Sequence, residues 1–80
     1  MPRFIDRHPF QPIPAEIIAQ VKANLGKPDQ FGVTGINMFT SKDYLMCYSE
    51  APNAESVHRE HAAIGINLGP GDIQEVTSLV

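Results

Sequence analysis

The residues of this sequence best suited to metal chemistry are its only thiol and two of its three imidazoles, which fall within fifteen residues of one another. Cys47, His58 and His61 lie in the stretch CYSEAPNAESVHREHAAIG. Three-residue spacing on a helix makes His58 and His61 neighbours on one surface, whereas Glu60 falls about 100° from His61 and is a poor co-ligand. The stretch predicts either a metal site or a strand and a helix with ordinary polar side chains.

A carboxylate and a third imidazole lie near the N-terminus, at Asp6 and His8. In an extended strand these two side chains point the same way, because residues two apart share a face. Imidazole, thiolate and carboxylate together suit a borderline transition ion such as nickel, zinc or copper. We therefore predict a metal site formed by Asp6, His8, Cys47, His58 and His61. Its affinity for nickel should fall as the pH drops through about 6.5, since protons compete for the same lone pairs.

Each of these residues also has a plainer interpretation. A lone buried cysteine is usually a small apolar filler, and a histidine within an apolar helix stripe, such as His61, is more often a satisfied core residue than a ligand. Asp6 could pair with a nearby arginine, and His8 and His58 could be solvated. The metal site is favoured because several residues of metal-binding type are expected to lie close together.

Length, charge and hydropathy limit the remaining function classes. Eighty residues predict a single domain, residues 1–80, close to the lower size limit for independent folding. The net charge of −3 and the scattered basic residues argue against a nucleic-acid partner. No apolar run approaches the ~18 residues that span a bilayer, which argues against a membrane partner. The charged N-terminus lacks a signal-peptide pattern, so the expected location is cytoplasmic.

The hydrophobic pattern predicts four strands and two helices in the order β-α-β-β-α-β. The expected strands cover residues 3–8, 33–40, 44–49 and 73–79. The first helix begins at Pro14 and stops at Gly26, and the second follows the N-cap Asn53 and ends at Gly65. The prolines of HPFQPIP make an extended connector. This order is that of an α+β ferredoxin-like sandwich, a four-stranded antiparallel sheet with two helices on one face.

The topology must bring the candidate ligands together. We expect the first and third strands to be parallel neighbours in the middle of the sheet, so that their C-terminal ends meet where the second helix starts. His61 then lies about 10 Å along the helix, and Cys47 about 10 Å back along the strand, at the same depth. Alternation alone leaves open which sheet face Asp6 and Cys47 occupy. The face without helices is uncovered, which predicts a homodimer.

Three stretches, MPRFIDRH, YLMCYSEAPNAESVHREHAAIG and GDIQEVTSL, resemble a family of small bacterial proteins known as a domain of unknown function. Members of this family have a ferredoxin-like sandwich, form dimers and include nickel-binding proteins. The resemblance covers nearly the whole chain and implies metal binding, with nickel as the favoured ion, at the matching positions Asp6, His8, Cys47, His58 and His61. The chain departs from the nickel-binding members at PFQPIP, where they have a loop that contains glycine and methionine.

Three functions therefore stay open at the level of sequence. The first is a non-enzymatic metal-binding protein that stores, buffers or senses nickel or a similar ion. The second is an enzyme that uses an Asp–His pair on a small organic molecule in a pocket of the dimer. The third is an interaction module in which the cysteine and the histidines are structural.

Overall fold

The chain folds as a four-stranded sheet with two helices, in a computed structural model that describes residues 1–80. The elements are, in order, β1 (Arg3–Pro9), α1 (Ala15–Asn24), β2 (Thr34–Thr40), β3 (Tyr44–Glu50), α2 (Ala54–Ala63) and β4 (Ile73–Val76). The strand order is β2-β3-β1-β4, and every neighbouring pair is antiparallel. The predicted α+β ferredoxin-like architecture is confirmed.

One expected strand pairing is wrong, because β1 and β3 are neighbours but run antiparallel. The crossover through α1 makes β1 and β2 run the same way, and the tight turn after β2 reverses the chain. β3 lies between these two strands and is antiparallel to both. As a result, His8 lies opposite Leu45 at the start of β3, whereas Glu50 lies opposite Arg3. The C-terminal ends of β1 and β3, which we expected to lie side by side, are therefore at opposite ends of the strand pair.

The last strand is shorter than predicted, since β4 ends at Val76 and not at Leu79. β4 runs antiparallel along β1 and reaches the first residue of that strand, Arg3, at Val76. Only Met1 and Pro2 lie beyond that point, and a proline has no N–H group to donate to a sheet. The strand therefore ends where its partner ends.

Helix α2 begins as the sequence predicts. The side chain of Asn53 accepts a hydrogen bond from the backbone N–H of Ser56 at 3.0 Å, which satisfies one of the free donors at the helix start. The helix ends at Ala63, and Gly65 follows with a φ of 84°, a backbone conformation that glycine adopts without steric strain.

The hydrophobic core lies beneath α2 and not beneath α1. Its buried members are Phe4, Val33, Ala51, Val57 and Leu68. Helix α1, in contrast, contains no buried residue. A cavity of ≈ 790 Å³ separates much of α1 from the sheet. Neither helix is long and apolar enough to cross a membrane.

The alternation of side chains along β1 and β3 gives the sheet two unlike faces. Phe4, Asp6 and Leu45 are buried on the face that carries the helices. The other face has no element packed over it, and its residues include Ile5, Arg7, Phe39, Tyr44, Met46 and Tyr48. Ile5, Phe39 and Tyr44 are among the exposed large hydrophobic residues of the chain.

Candidate metal centre

Three elements bring Asp6, Cys47 and His61 together. Asp6 and Cys47 lie directly opposite each other in the pairing of β1 with β3, so their side chains share one face of the sheet. That face is the one beneath the helices, because Asp6 is only 1% exposed and Cys47 lines the cavity under α1. Helix α2 runs back over the same strands and places His61 above both residues. The structure therefore decides which face of the sheet Asp6 and Cys47 occupy, a point that the sequence left open.

The three side chains form a compact set of candidate metal ligands. One atom from each residue, a carboxylate oxygen, a sulfur and a ring nitrogen, lies within 4.8 Å of the other two. Asp6 is 1% exposed and His61 is 3% exposed. Ligand atoms that share one ion at about 2.0–2.3 Å lie roughly 3.5 Å apart in a tetrahedral site. A small contraction of the cluster is enough to reach that geometry.

The Asp6 carboxylate is buried without a hydrogen bond to either oxygen. Nε2 of His61 lies 3.0 Å from Oδ1, the distance of an ion pair, but the direction of the contact is not that of a hydrogen bond. The other oxygen, Oδ2, has no partner at all. Buried carboxylates are normally hydrogen-bonded or bound to a metal, so this group calls for a ligand.

The ring of His61 is oriented as in many metal-binding histidines. Its Nδ1 lies 2.9 Å from the backbone carbonyl oxygen of Val57, one helical turn earlier. When Nδ1–H donates to that carbonyl, the lone pair of the neutral ring is on Nε2, which faces Asp6. A backbone carbonyl that fixes the tautomer in this way is the usual second partner of a histidine ligand.

The ion-free site holds protons that a metal would have to displace. Burial acts to lower the pKa of His61, but Asp6, Cys47 and the Val57 carbonyl outweigh it and raise that pKa to about 11. Burial raises the pKa of the Cys47 thiol, against the opposing effect of its contact with His61. Without an ion, the site therefore contains an imidazolium and a thiol.

Cysteine, histidine and aspartate also form catalytic triads, but the connectivity here differs. In a triad, one ring nitrogen faces the nucleophile and the other faces the carboxylate. In this protein Nδ1 of His61 is engaged by Val57, so only Nε2 remains for both Asp6 and Cys47. The raised pKa of Cys47 is also opposite to that of an activated thiol. The geometry favours metal ligation over nucleophilic catalysis.

The other two predicted ligands, His8 and His58, lie outside the three-residue cluster. The ring centroid of His8 is 6.1 Å from that of His61, and its Nδ1 lies 3.4 Å from the carbonyl oxygen of Pro9. His58 is half-buried, does not line the cavity and has no side-chain hydrogen bond. Three-residue spacing rotates it about 60° around α2 from His61, so the two rings are not directed at the same point.

Two carboxyl groups beside the cluster were not singled out from the sequence as partners. The side chain of Glu60 lies beside that of Asp29, and both residues line the cavity. Burial and this contact with Asp29 raise the pKa of Glu60 to about 7. Burial also acts to raise the pKa of Asp29, but the contact with Glu60 and backbone N–H groups, including those of Val33 and Phe31, lower it overall. No local sequence signal joins a loop residue to a helix residue thirty-one positions later.

Comparisons of the chain with protein-family models, with curated proteins and with solved structures found no match.

Proposed function

We propose that this protein binds a divalent transition-metal ion through Asp6, Cys47 and His61. The observation that carries the proposal is the Asp6 carboxylate, which is almost fully buried and has no hydrogen bond to either oxygen. In the ion-free site the imidazolium of His61 faces only Oδ1, so Oδ2 stays buried without any donor or counter-charge beside it, which is unfavourable for a carboxylate. A divalent ion would give the Asp6 carboxylate the partner that it lacks.

The donor atoms limit which ion is suitable. One carboxylate oxygen, one imidazole nitrogen and one thiolate sulfur suit the borderline ions nickel, zinc and copper better than magnesium or calcium, which prefer oxygen alone. Among these three ions, the resemblance of the sequence to a family with nickel-binding members favours nickel. We propose storage, buffering or sensing of nickel as the role, since the cluster lacks the connectivity of a nucleophilic enzyme.

The direct test is a calorimetric titration of the ion-free protein with Ni²⁺, Zn²⁺ and Cu²⁺. We expect one ion per chain, with Cu²⁺ bound more tightly than Ni²⁺ unless geometry intervenes. Asp6→Asn, Cys47→Ser and His61→Ala should each weaken nickel binding by about tenfold or more, because each removes a ligand. A sulfur-to-nickel charge-transfer band should appear with the wild type and be absent with Cys47→Ser.

The matched control is His58→Ala, which removes an imidazole from the same helix but outside the cluster. This variant should bind nickel within about twofold of the wild type, since its ring is directed elsewhere. If His58→Ala and His61→Ala lose affinity equally, or if neither the wild type nor any variant takes up an ion, the three residues are ordinary packing and the proposal is wrong.

A further inference from the structure

We propose that the cavity beside the metal centre binds a small organic molecule that has an apolar body and one oxygen-donor head group, which coordinates the bound ion. The inference rests on the proposed function, because the head group needs the ion held by Asp6, Cys47 and His61. The proposed function concerns the metal ion alone, whereas this inference identifies a second, organic ligand and its chemical class.

The size and position of the cavity are the first support. Its volume of ≈ 790 Å³ is within the range of small-molecule sites, which run from about 300 to 1,000 Å³. It lies beneath α1, a ten-residue helix with no buried residue. Ile17 on this helix lines the cavity and is still 43% exposed. An apolar occupant would cover the inner side of α1, which the protein itself leaves unpacked.

The lining is apolar over most of its surface. Its aliphatic and thioether side chains come from α1, from the segments that flank it and from two strands of the sheet, and they include Ile13, Ile17, Val21, Leu25, Met38 and Leu45. Such a wall recognises hydrocarbon by burial and not by directed hydrogen bonds. The body of the ligand is therefore expected to be aliphatic or aromatic.

The metal centre opens into this cavity. Cys47 and His61 are part of its lining, whereas Asp6 lies behind them and is not. Three protein ligands leave at least one coordination position of a transition ion for a water molecule or an exogenous donor. Because Cys47 and His61 line the cavity, a donor group in the cavity would approach an ion that they hold.

The polar part of the lining includes Lys27 and, close to His61, two acidic residues. Asp29 and Glu60 lie side by side in the lining, and neither forms an ion pair with a lysine or an arginine. The negative charge of this pair disfavours a second carboxylate on the ligand. A monoacid or a hydroxamic acid with a hydrocarbon chain fits these conditions.

The experiment compares two hydroxamic acids that differ only in hydrocarbon length, acetohydroxamic acid and octanohydroxamic acid. Each is titrated into protein first loaded with nickel, and the nickel retained after gel filtration is measured. We expect octanohydroxamic acid to bind more than about tenfold more tightly than acetohydroxamic acid, because its additional methylene groups are buried in the cavity. Octanohydroxamic acid should bind much more weakly to the ion-free protein.

A pair of tryptophan variants on α1 separates the cavity from the metal centre. Val21→Trp fills the cavity and should abolish the preference for the longer chain while nickel binding is retained. Ile18→Trp is the matched control, because Ile18 is 49% exposed and does not line the cavity, and it should keep the preference.

The outcomes distinguish the two proposals. If nickel binds but both hydroxamic acids bind alike, bind without nickel, or strip the ion, the cavity inference is overturned and the metal site stands. If both tryptophan variants behave alike, the ligand lies elsewhere and the inference is also overturned. If the protein takes up no ion, the first titration shows it, and both proposals fail together.

Discussion

The central residue-level feature of this protein is a buried carboxylate that faces an imidazole and a thiol. Asp6 has no hydrogen bond to either oxygen, and Nε2 of His61 is its one close polar contact. The Val57 carbonyl holds the other ring nitrogen of His61. Because a strand or a helix holds each of the three groups close to the other two, only a small contraction of the cluster would bring them to the spacing of metal ligands.

Nickel binding should release protons over a wider pH range than the histidine reference value indicates. In the ion-free protein the pKa of His61 is raised to about 11 by Asp6 and its other contacts, against the effect of burial, and burial raises that of Cys47. A metal must displace a proton from each, so affinity should continue to rise with pH up to about 11, with about two protons released per ion at pH 7.5. Calorimetry in buffers of different ionisation enthalpy measures this number. Release of no protons at pH 7.5 would contradict the assignment of both ligands.

The Glu60 carboxyl should make the ion-free protein lose stability as the pH rises through the weakly acidic range. Burial and the contact with Asp29 raise its pKa from the usual 4.5 to about 7, so the folded state holds this proton more tightly than the unfolded state. The stabilisation is complete below about 4.5 and is lost as the pH rises to about 7. Glu60→Gln should flatten the dependence of the unfolding free energy on pH in this window.

The control for this measurement is Glu55→Gln, on the same helix. The side chain of Glu55 is 66% exposed and forms an ion pair with Arg59 at 3.3 Å. Exposed pairs of this kind contribute little, so the pH dependence of Glu55→Gln should match that of the wild type. Urea denaturation at several pH values gives the comparison. Equal slopes for the two variants would show that Glu60 titrates normally.

At the scale of elements, the two helices differ in how they are held. Helix α2 has a side-chain N-cap and contributes Val57 and His61 to the buried interior. Helix α1 starts at Pro14 without a side-chain cap and buries no residue. The helix that carries His61 is therefore the one that is capped and packed, whereas the helix over the cavity has neither a side-chain cap nor a buried residue.

Removal of the α2 cap should destabilise the protein measurably. Asn53→Ala removes the acceptor for the backbone N–H of Ser56, and the loss of such a cap costs about 1 kcal/mol. Asn53→Asp keeps an acceptor at the same position and should retain most of the stability. Urea denaturation of the ion-free proteins measures both. A variant Asn53→Ala as stable as the wild type would mean that the cap makes no net contribution.

At the scale of the whole molecule, the sheet has one face covered by helices and one without them. The chain is short, and only nine of its 80 residues are buried. The uncovered face includes the exposed side chains of Ile5, Phe39 and Tyr44. A second copy of the chain, with the same apolar surface, would bury these residues in a symmetric contact.

We therefore expect light scattering to give a mass of about twice 8.8 kDa at micromolar concentration. Phe39→Lys should shift the protein toward the monomer, because it places a charge within the apolar contact. Ile18→Lys is the control, since Ile18 is equally exposed but lies on α1, on the opposite side of the sheet. A mass near 8.8 kDa for the wild type, or equal masses for the two variants, would contradict the dimer.

Local patterns in the sequence were enough to determine the secondary structure and its order. The alternation in β1, the N-cap Asn53 and the left-handed Gly65 act over a few residues, so the two helices and four strands could be predicted with small errors at their ends. Residue type and spacing also predicted a site of five residues that included His8 and His58, and the structure brings three of the five, Asp6, Cys47 and His61, together.

Only the tertiary structure decided what depends on pairing between distant segments. The direction of β3 beside β1, which was predicted wrongly, follows from the closure of the sheet around the hairpin. Whether His58 or His61 faces the strands depends on how α2 is rotated over the core, and the contact between Asp29 and Glu60 depends on where a loop meets that helix. Local periodicity encodes neither the rotation of α2 nor the contact between Asp29 and Glu60, because each is set by the packing of several elements at once.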